Sequence, residues 1–474
     1  MKIKNCKTSF FTFIIVFINL NIHAQLKINS LFSDHMVLQQ GVQIPVWGTT
    51  TDEEKITVKF DGQEITTVPH NGKWSVRLNS LKASSNPRSL FISTEKSSLE
   101  IKDILVGEVW FCSGQSNMER QLGLRPPQPP ITNWEKERDK ANYPQIREYY
   151  VPLNYSEKVV DDVQSNWEVC SPNTVSKFSA VGYFFAKHLH NDLKVPVGII
   201  FSAFGGTPAE DWTSASAMKE NPELKELLEN YSQIMGKGYR PRGQKPNGLY
   251  NGMVHPFLQY PIKGVAWYQG ESNVDRANQY ETVLETMIKN WRTDFHQKKL
   301  PFLIVQIAPH KDIKPEIREA QFNVSQKLDN IALIVTTDLG LPNQIHPPNK
   351  QPIGERLALA ARGMVYGENI KYKGPVLDHY KVKTNKIVLY FSETGNGLKT
   401  NKNTNLKGFE VIYANGEKEL ANTILKNNRI EILLNPNLKP VEIKYGWANI
   451  PDVNLINSIN LPASPFRVQL EKTK

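Results

Sequence analysis

Cysteine is scarce: of three in 474 residues, only Cys112 and Cys170 lie beyond the first two dozen positions. That scarcity excludes a disulfide scaffold and a Cys-rich zinc cluster, and leaves either one disulfide or two buried thiols. Long apolar runs are scarce too. The main one, Phe10 to Leu20, is short for a ~20-residue membrane span and has no successor. Lys2, Lys4 and Lys7 precede it and Asn-Ile-His-Ala follows, so residues 1–24 read as a secretory signal peptide cleaved after Ala24. A membrane anchor is the competing reading, and the lack of a Cys after the apolar core argues against a lipid-modified start. The expected location is secreted or periplasmic, without stable membrane insertion after cleavage. A dense basic stripe is also missing. Losing the three leader lysines lowers the formal charge from +10 to +7, and the remaining Lys and Arg residues are scattered, which argues against nucleic acid as a partner.

Forty per cent apolar and 10% aromatic residues support real cores and exclude global disorder, and the length points to two or three domains. From Leu26 to about Lys102, short alternating runs separated by Asp61-Gly62 and Asn71-Gly72 predict antiparallel hairpins, a sandwich-like N-terminal β-domain over 25–103. Trp47 and Trp74 fit its core better than a sugar-binding surface. From Ile104 the pattern changes. Ile104 to Cys112 has the character of a strand buried on both faces, and it breaks into Ser-Gly-Gln-Ser-Asn, residues 113–117. Alone, that stretch also reads as an ordinary strand-to-helix turn with Ser116 or Asn117 as N-cap.

Four further strands alternate with helices: Val195–Phe201, Ile262–Tyr268, Phe302–Ile307 and Ala332–Thr337, with helices over Phe178–Leu193, Gln279–Trp291, Pro315–Leu328 and Pro352–Tyr366. The alternation predicts an α/β domain over 104–370, a five-stranded parallel sheet flanked by helices on both faces. Leu124 to Pro130, rich in proline, reads as an insertion. Beyond Lys371 shorter strand signals return and predict a C-terminal β-domain over 371–474.

Every polar cluster falls at the carboxyl end of one of these parallel strands, where open α/β sheets place their chemistry. A serine acyl-transfer site needs a nucleophile, a base and oxyanion donors. Ser116 supplies the first, Gly206 a backbone N–H, Gln269 or Asn273 an amide, and His346 the base.

The chain resembles the SGNH-hydrolase superfamily, and within it the sialate O-acetylesterases. The resemblance covers nearly the whole mature chain and rests on Leu31–Gln40, Cys112–Met118, Gly205-Gly206-Thr207 with Trp212, Leu249–Pro256, Trp267–Asn273 and Ile345–Lys350. It implies Ser116 as nucleophile and His346 as base. It also implies oxyanion donors at the Ser116 and Gly206 N–H groups and the Gln269 amide, with no metal and no cofactor.

The acid that superfamily members often carry two or three residues before the histidine is replaced here by Gln344 and Asn343. Asp338 is the first candidate to orient His346. A Ser–His dyad held by a carbonyl or amide is the alternative, and Glu271 is a third. His255 is the rival base, and Asn251, Asn273 and Trp212 are candidate pocket residues. Arg120, Arg125, Arg240 and Arg242 are candidates to bind a substrate carboxylate.

The leading expectation is a serine esterase that removes O-acetyl groups from sialic acids through an acetyl-enzyme. Acetylated xylan or another glycan ester is the second reading, and an inactive carbohydrate-binding surface protein is the third. Nothing in the sequence fixes the oligomeric state.

Overall fold

The stretch that ends at Gly114 forms a 17-residue strand, β1 (Ser98–Gly114), whose burial changes part-way along. The computed structural model describes residues 26–51, 53–230, 246–401 and 404–470, so the signal peptide read over 1–24 lies outside the described residues. Up to Asp103 the strand is partly exposed, and it pairs antiparallel with Ser84–Ser93. From Ile104 onward every residue is buried. Asp103, at φ 54°, marks the change and is pinned by Arg147 at 2.7 Å and His35 at 2.6 Å. The expected boundary at 103/104 therefore falls inside one strand. One apolar core runs from Leu26 to Ala361, because β1 serves the N-terminal β-layers and the central sheet together.

The hairpins of the N-terminal unit turn where the sequence places them. Asp61 and Gly62 have φ of 52° and 75°, and Asn71 and Gly72 of 51° and 73°, the positive pair that a two-residue primed turn requires.

The central sheet continues with β2 (Tyr143–Tyr150), β3 (Trp167–Cys170), β4 (Val197–Ala203), β5 (Gly264–Tyr268), β6 (Phe302–Val305) and β7 (Ile331–Ile334). Their spatial order is β3-β2-β4-β1-β5-β6-β7. All neighbours are parallel except β3 and β2. The expectation of five parallel strands is corrected to six plus an antiparallel edge. The strand that was missed, β2, contains Pro144, Arg147 and Glu148, and its charged residues are buried. Arg147 binds Asp103, and Glu148 accepts from the Ser179 N–H. A buried Arg147–Asp103 ion pair, and a Glu148 carboxyl that burial pushes well above its usual range, interrupted the apolar run by which a buried strand is recognised.

The helices form as the spacing predicts, with shifted ends: Ala180–Leu193, Ala277–Asp294, Pro315–Lys327 and Gln351–Ala360. The first starts at Ser179, whose hydroxyl accepts from the Gly182 N–H at 3.1 Å, a side-chain N-cap. No helix among the described residues is long and apolar enough to cross a membrane.

Cys112 and Cys170 are both free and buried. They sit on β1 and β3, three strand spacings apart at ~4.8 Å each, beyond the reach of a disulfide. The C-terminal β-strands gather around a separate apolar cluster that includes Ile387, Val411, Ile430 and Phe466.

Candidate active site

The register of the central sheet assembles the site. Gly114 of β1 lies level with Ala203 of β4 on one side and Tyr268 of β5 on the other, so the three loops that follow emerge side by side. Gly114 is required there. Its φ is 139°, and a Cβ would come within 2.1 Å of the Tyr268 carbonyl oxygen. Gln115 then ties the first loop to the third, its side-chain oxygen accepting from the N–H groups of Gly270 and Ser272 at 3.3 and 3.2 Å.

Ser116 opens a single helical turn, Ser116–Glu119, so its own N–H is one of the donors a helix start leaves without an internal partner. Gly205 packs against it so closely that an added Cβ would stand 3.1 Å from the Ser116 Cβ. The next residue, Gly206, has φ 76° and open space on its Cβ side. Glu119 accepts the Gly205 N–H at 2.9 Å and thereby fixes this loop. Neither the Ser116 nor the Gly206 N–H has a protein acceptor among the described residues.

His346 reaches in from the loop after β7, and its Nε2 lies 2.9 Å from the Ser116 Oγ. Burial pushes the imidazole down to about 4, and the charges of Lys350, Arg120, Arg125 and His310 act in the same direction. The ring is therefore neutral at neutral pH and able to accept the serine proton. No carboxylate among the described residues forms an ion pair with it. Gln344, which occupies one of the positions where an acid was sought, instead accepts the His346 backbone N–H at 3.0 Å.

Residues 106–362 match the family described as "Carbohydrate esterase, sialic acid-specific acetylesterase". The chain belongs to this family. The sialate O-acetylesterase of Homo sapiens is 30% identical over 420 residues, covering 79% of this chain and 78% of its own. Its counterpart in Mus musculus is 31% identical over 412 residues, covering 73% and 75%. A carbohydrate acetylesterase from Xanthomonas citri has a similar structure, with a TM-score of 0.85 and 34% identity over 93% of this chain and 99% of that one.

Several residues read as site candidates in this acetylesterase are placed elsewhere. Asp338 does not orient His346. Both of its oxygens accept from the Arg356 guanidinium, at 2.8 and 2.6 Å, and the pair lines a cavity shared with Tyr445 and Asn454 of the C-terminal unit. Asp338→Asn should accordingly leave kcat and its pH profile within about twofold of wild type, since no reacting group is touched. A drop of tenfold or more in steady-state kinetics would return Asp338 to the site.

The Gln269 amide is not available to an oxyanion either. Fully buried, it donates to the Thr207 carbonyl at 3.1 Å and to Asn273 Oδ1 at 2.7 Å, which uses both hydrogens. Asn273 accepts the Ala209 N–H and donates to Glu210, so both residues tie the loop that holds Gly206 to the loop after β5. Trp212 is a core residue that donates to the Thr207 hydroxyl at 3.0 Å. Asn251 binds the Ser156 carbonyl.

Among the arginines, Arg120 is buried and caps the carbonyls of Gln121, Gly123 and Pro129, while Arg240 and Arg242 lie outside the described residues. Arg125 pairs with Glu119 at 2.9 Å and keeps 37% of its side chain exposed. Reading the sequence missed Glu119, the link between Arg125 and the Gly205 loop. Its only signal was its position three residues after Ser116.

Proposed function

We propose that the protein is a secreted or periplasmic serine esterase that removes O-acetyl groups from sialic acids. The observation that supports this most directly is the 2.9 Å contact between Ser116 Oγ and His346 Nε2 in a chain of this family. Ser116 attacks the acetyl carbonyl carbon while His346 takes its proton, and the N–H groups of Ser116 and Gly206 receive the oxyanion. The bond from acetyl carbon to sugar oxygen then breaks, and His346 returns the proton to that oxygen. Water repeats the attack on the acetyl-enzyme. Its proton passes through His346 back to Ser116, and acetate leaves.

The curated relatives are named for sialate, whereas the Xanthomonas citri protein is named for carbohydrate at large. A sialic acid differs from an acetylated xylose by its carboxylate, so a sialate site gains from a cation that a xylan esterase does not need. Arg125 is the described arginine with an exposed guanidinium beside the Ser116 loop. Replacing it with alanine should lower the preference for O-acetyl sialate over a neutral acetyl ester roughly tenfold, ~1.5 kcal/mol, the low end for a charged hydrogen bond at a site open to water. Activity on the neutral ester should survive. The test compares kcat/KM for acetate release from O-acetyl sialic acids and acetylated xylan, in wild type and Arg125→Ala. A wild type that prefers xylan would move the protein to the neutral-glycan reading and leave the serine chemistry in place.

A further inference from the structure

A serine–histidine pair needs something to hold the imidazole in register, and in a triad a carboxylate does so. Here Asp338 is taken by Arg356 and Gln344 by a backbone N–H, so the restraint has to come from elsewhere. We propose that Asn117, Lys350 and Glu271 form a buried positioning group that takes the place of the triad acid, clamping the Ile345–His346 segment against Ser116 with the Lys350 ammonium held within electrostatic reach of the ring. The proposal rests on the Ser116–His346 reading given above.

Asn117 is the hub. Its Nδ2 donates to Glu271 Oε1 at 2.6 Å and to the Ile345 carbonyl at 3.0 Å, while its Oδ1 accepts from Lys350 Nζ at 2.5 Å. One side chain thus joins four points: the residue after the nucleophile, the loop after β5, the carbonyl just before His346, and the residue four positions past it. Only an amide has this valence. Aspartate lacks both donors, and an apolar residue of similar size lacks everything.

Lys350 is the costly member. It is fully buried at the start of the helix Gln351–Ala360, where the helix dipole already disfavours a cation, with the Tyr268 ring centroid 5.2 Å from its Nζ. A whole buried ion pair can often be exchanged for apolar side chains without loss of stability, so a lysine buried here together with Glu271 calls for a use. Burial holds the ammonium down to about 7, with Glu271 pulling up and Arg120 pushing further down. Burial raises Glu271 above the usual carboxylate range, partly offset by Asn117 and Lys350.

The charged and titratable groups facing His346 are Lys350, Arg120, Arg125 and His310, together with the Ser116 hydroxyl. All but the hydroxyl carry or can acquire positive charge. A triad carboxylate strengthens the base. This arrangement instead gives up some base strength and keeps the imidazole free in acid, while the hydrogen bonds of Asn117 supply the geometry.

The test follows the His346 imidazole by NMR titration in the full chain, beside the kinetics of 4-nitrophenyl acetate hydrolysis. In wild type the ring should titrate near 4. Lys350→Met should move that midpoint up by about one unit and lower plateau kcat about tenfold, with KM within twofold. Asn117→Asp, which loses both donors, should lower kcat at least as much. Glu271→Gln keeps the acceptor and should retain most activity, whereas Glu271→Ala should not. A Lys350→Met midpoint equal to that of wild type overturns the proposal even if activity falls, because a merely structural lysine would behave that way. Asn117→Asp at wild-type kcat overturns it too. A wild type that titrates as expected but hydrolyses no acetyl ester would instead defeat the esterase reading.

Discussion

Ser116→Ala should reduce kcat by a factor on the order of 10⁵–10⁶, the loss typical when the nucleophile of a serine hydrolase is removed. The partner of the Ser116 hydroxyl is His346, and its backbone carbonyl, which accepts the Arg120 N–H, is unaffected by the change. The variant should therefore fold as wild type does, and a circular dichroism melt within a few degrees of wild type would show it. A serine-directed organophosphonate should form its phosphorus–oxygen bond at Ser116 and inactivate the enzyme stoichiometrically. Mass spectrometry that finds the label on another residue, or an alanine variant with full turnover, would remove Ser116 from the nucleophile's role.

His346→Ala should cost on the order of 10⁴-fold or more, since it removes the group that moves every proton in the cycle. His255→Ala should cost far less. Its Nδ1 is bonded to the Val160 carbonyl at 3.0 Å, and the residue lines a cavity with Asp161 and Asp162 against the N-terminal unit. The pH profile gives a second check. The base works only when neutral, and its neutral fraction grows as pH rises above its pKa. With His346 pushed down to about 4 by burial and the surrounding cations, the acid limb of kcat/KM should lie near pH 4, well below the ~6.5 of an unperturbed imidazole. The enzyme should thus remain near its plateau at pH 6. A limb near 6.5, or a larger loss in the His255 variant than in the His346 variant, would contradict this assignment.

Both residues were legible because each is embedded in a local pattern with its own physical logic. A buried strand running into a glycine turn presents Ser116, and a proline-flanked loop after the last parallel strand presents His346. Partnerships across the sheet were not legible in the same way. Asp338 stands at the end of the expected strand, yet Arg356, on the following helix, faces it at bidentate distance and takes both of its oxygens. Gln269 sits in the expected motif, but its amide hydrogens go to Thr207 and Asn273, one loop away and one turn away. Which acceptor a side chain meets depends on how the loops stack, and linear spacing does not encode that.

By itself the sequence determined the periodicities: the alternating hairpin strands and their turns, the buried run of β1, the helices from Ala180 onward, and the order of polar clusters at the strand ends. These follow from local preferences and from which residues must leave water, and neighbours along the chain settle both. The tertiary structure alone decided that β2 joins the parallel sheet despite its polar residues, since Asp103 and the Ser179 N–H, both distant in sequence, help make burial of Arg147 and Glu148 tolerable. It alone decided that β1 is shared between the N-terminal layers and the central sheet, and that Cys112 and Cys170 stay apart. It also gave Asn117 its three-bond clamp, because those bonds join residues more than 150 positions apart in sequence, and buried polar groups are satisfied by whatever the fold brings next to them.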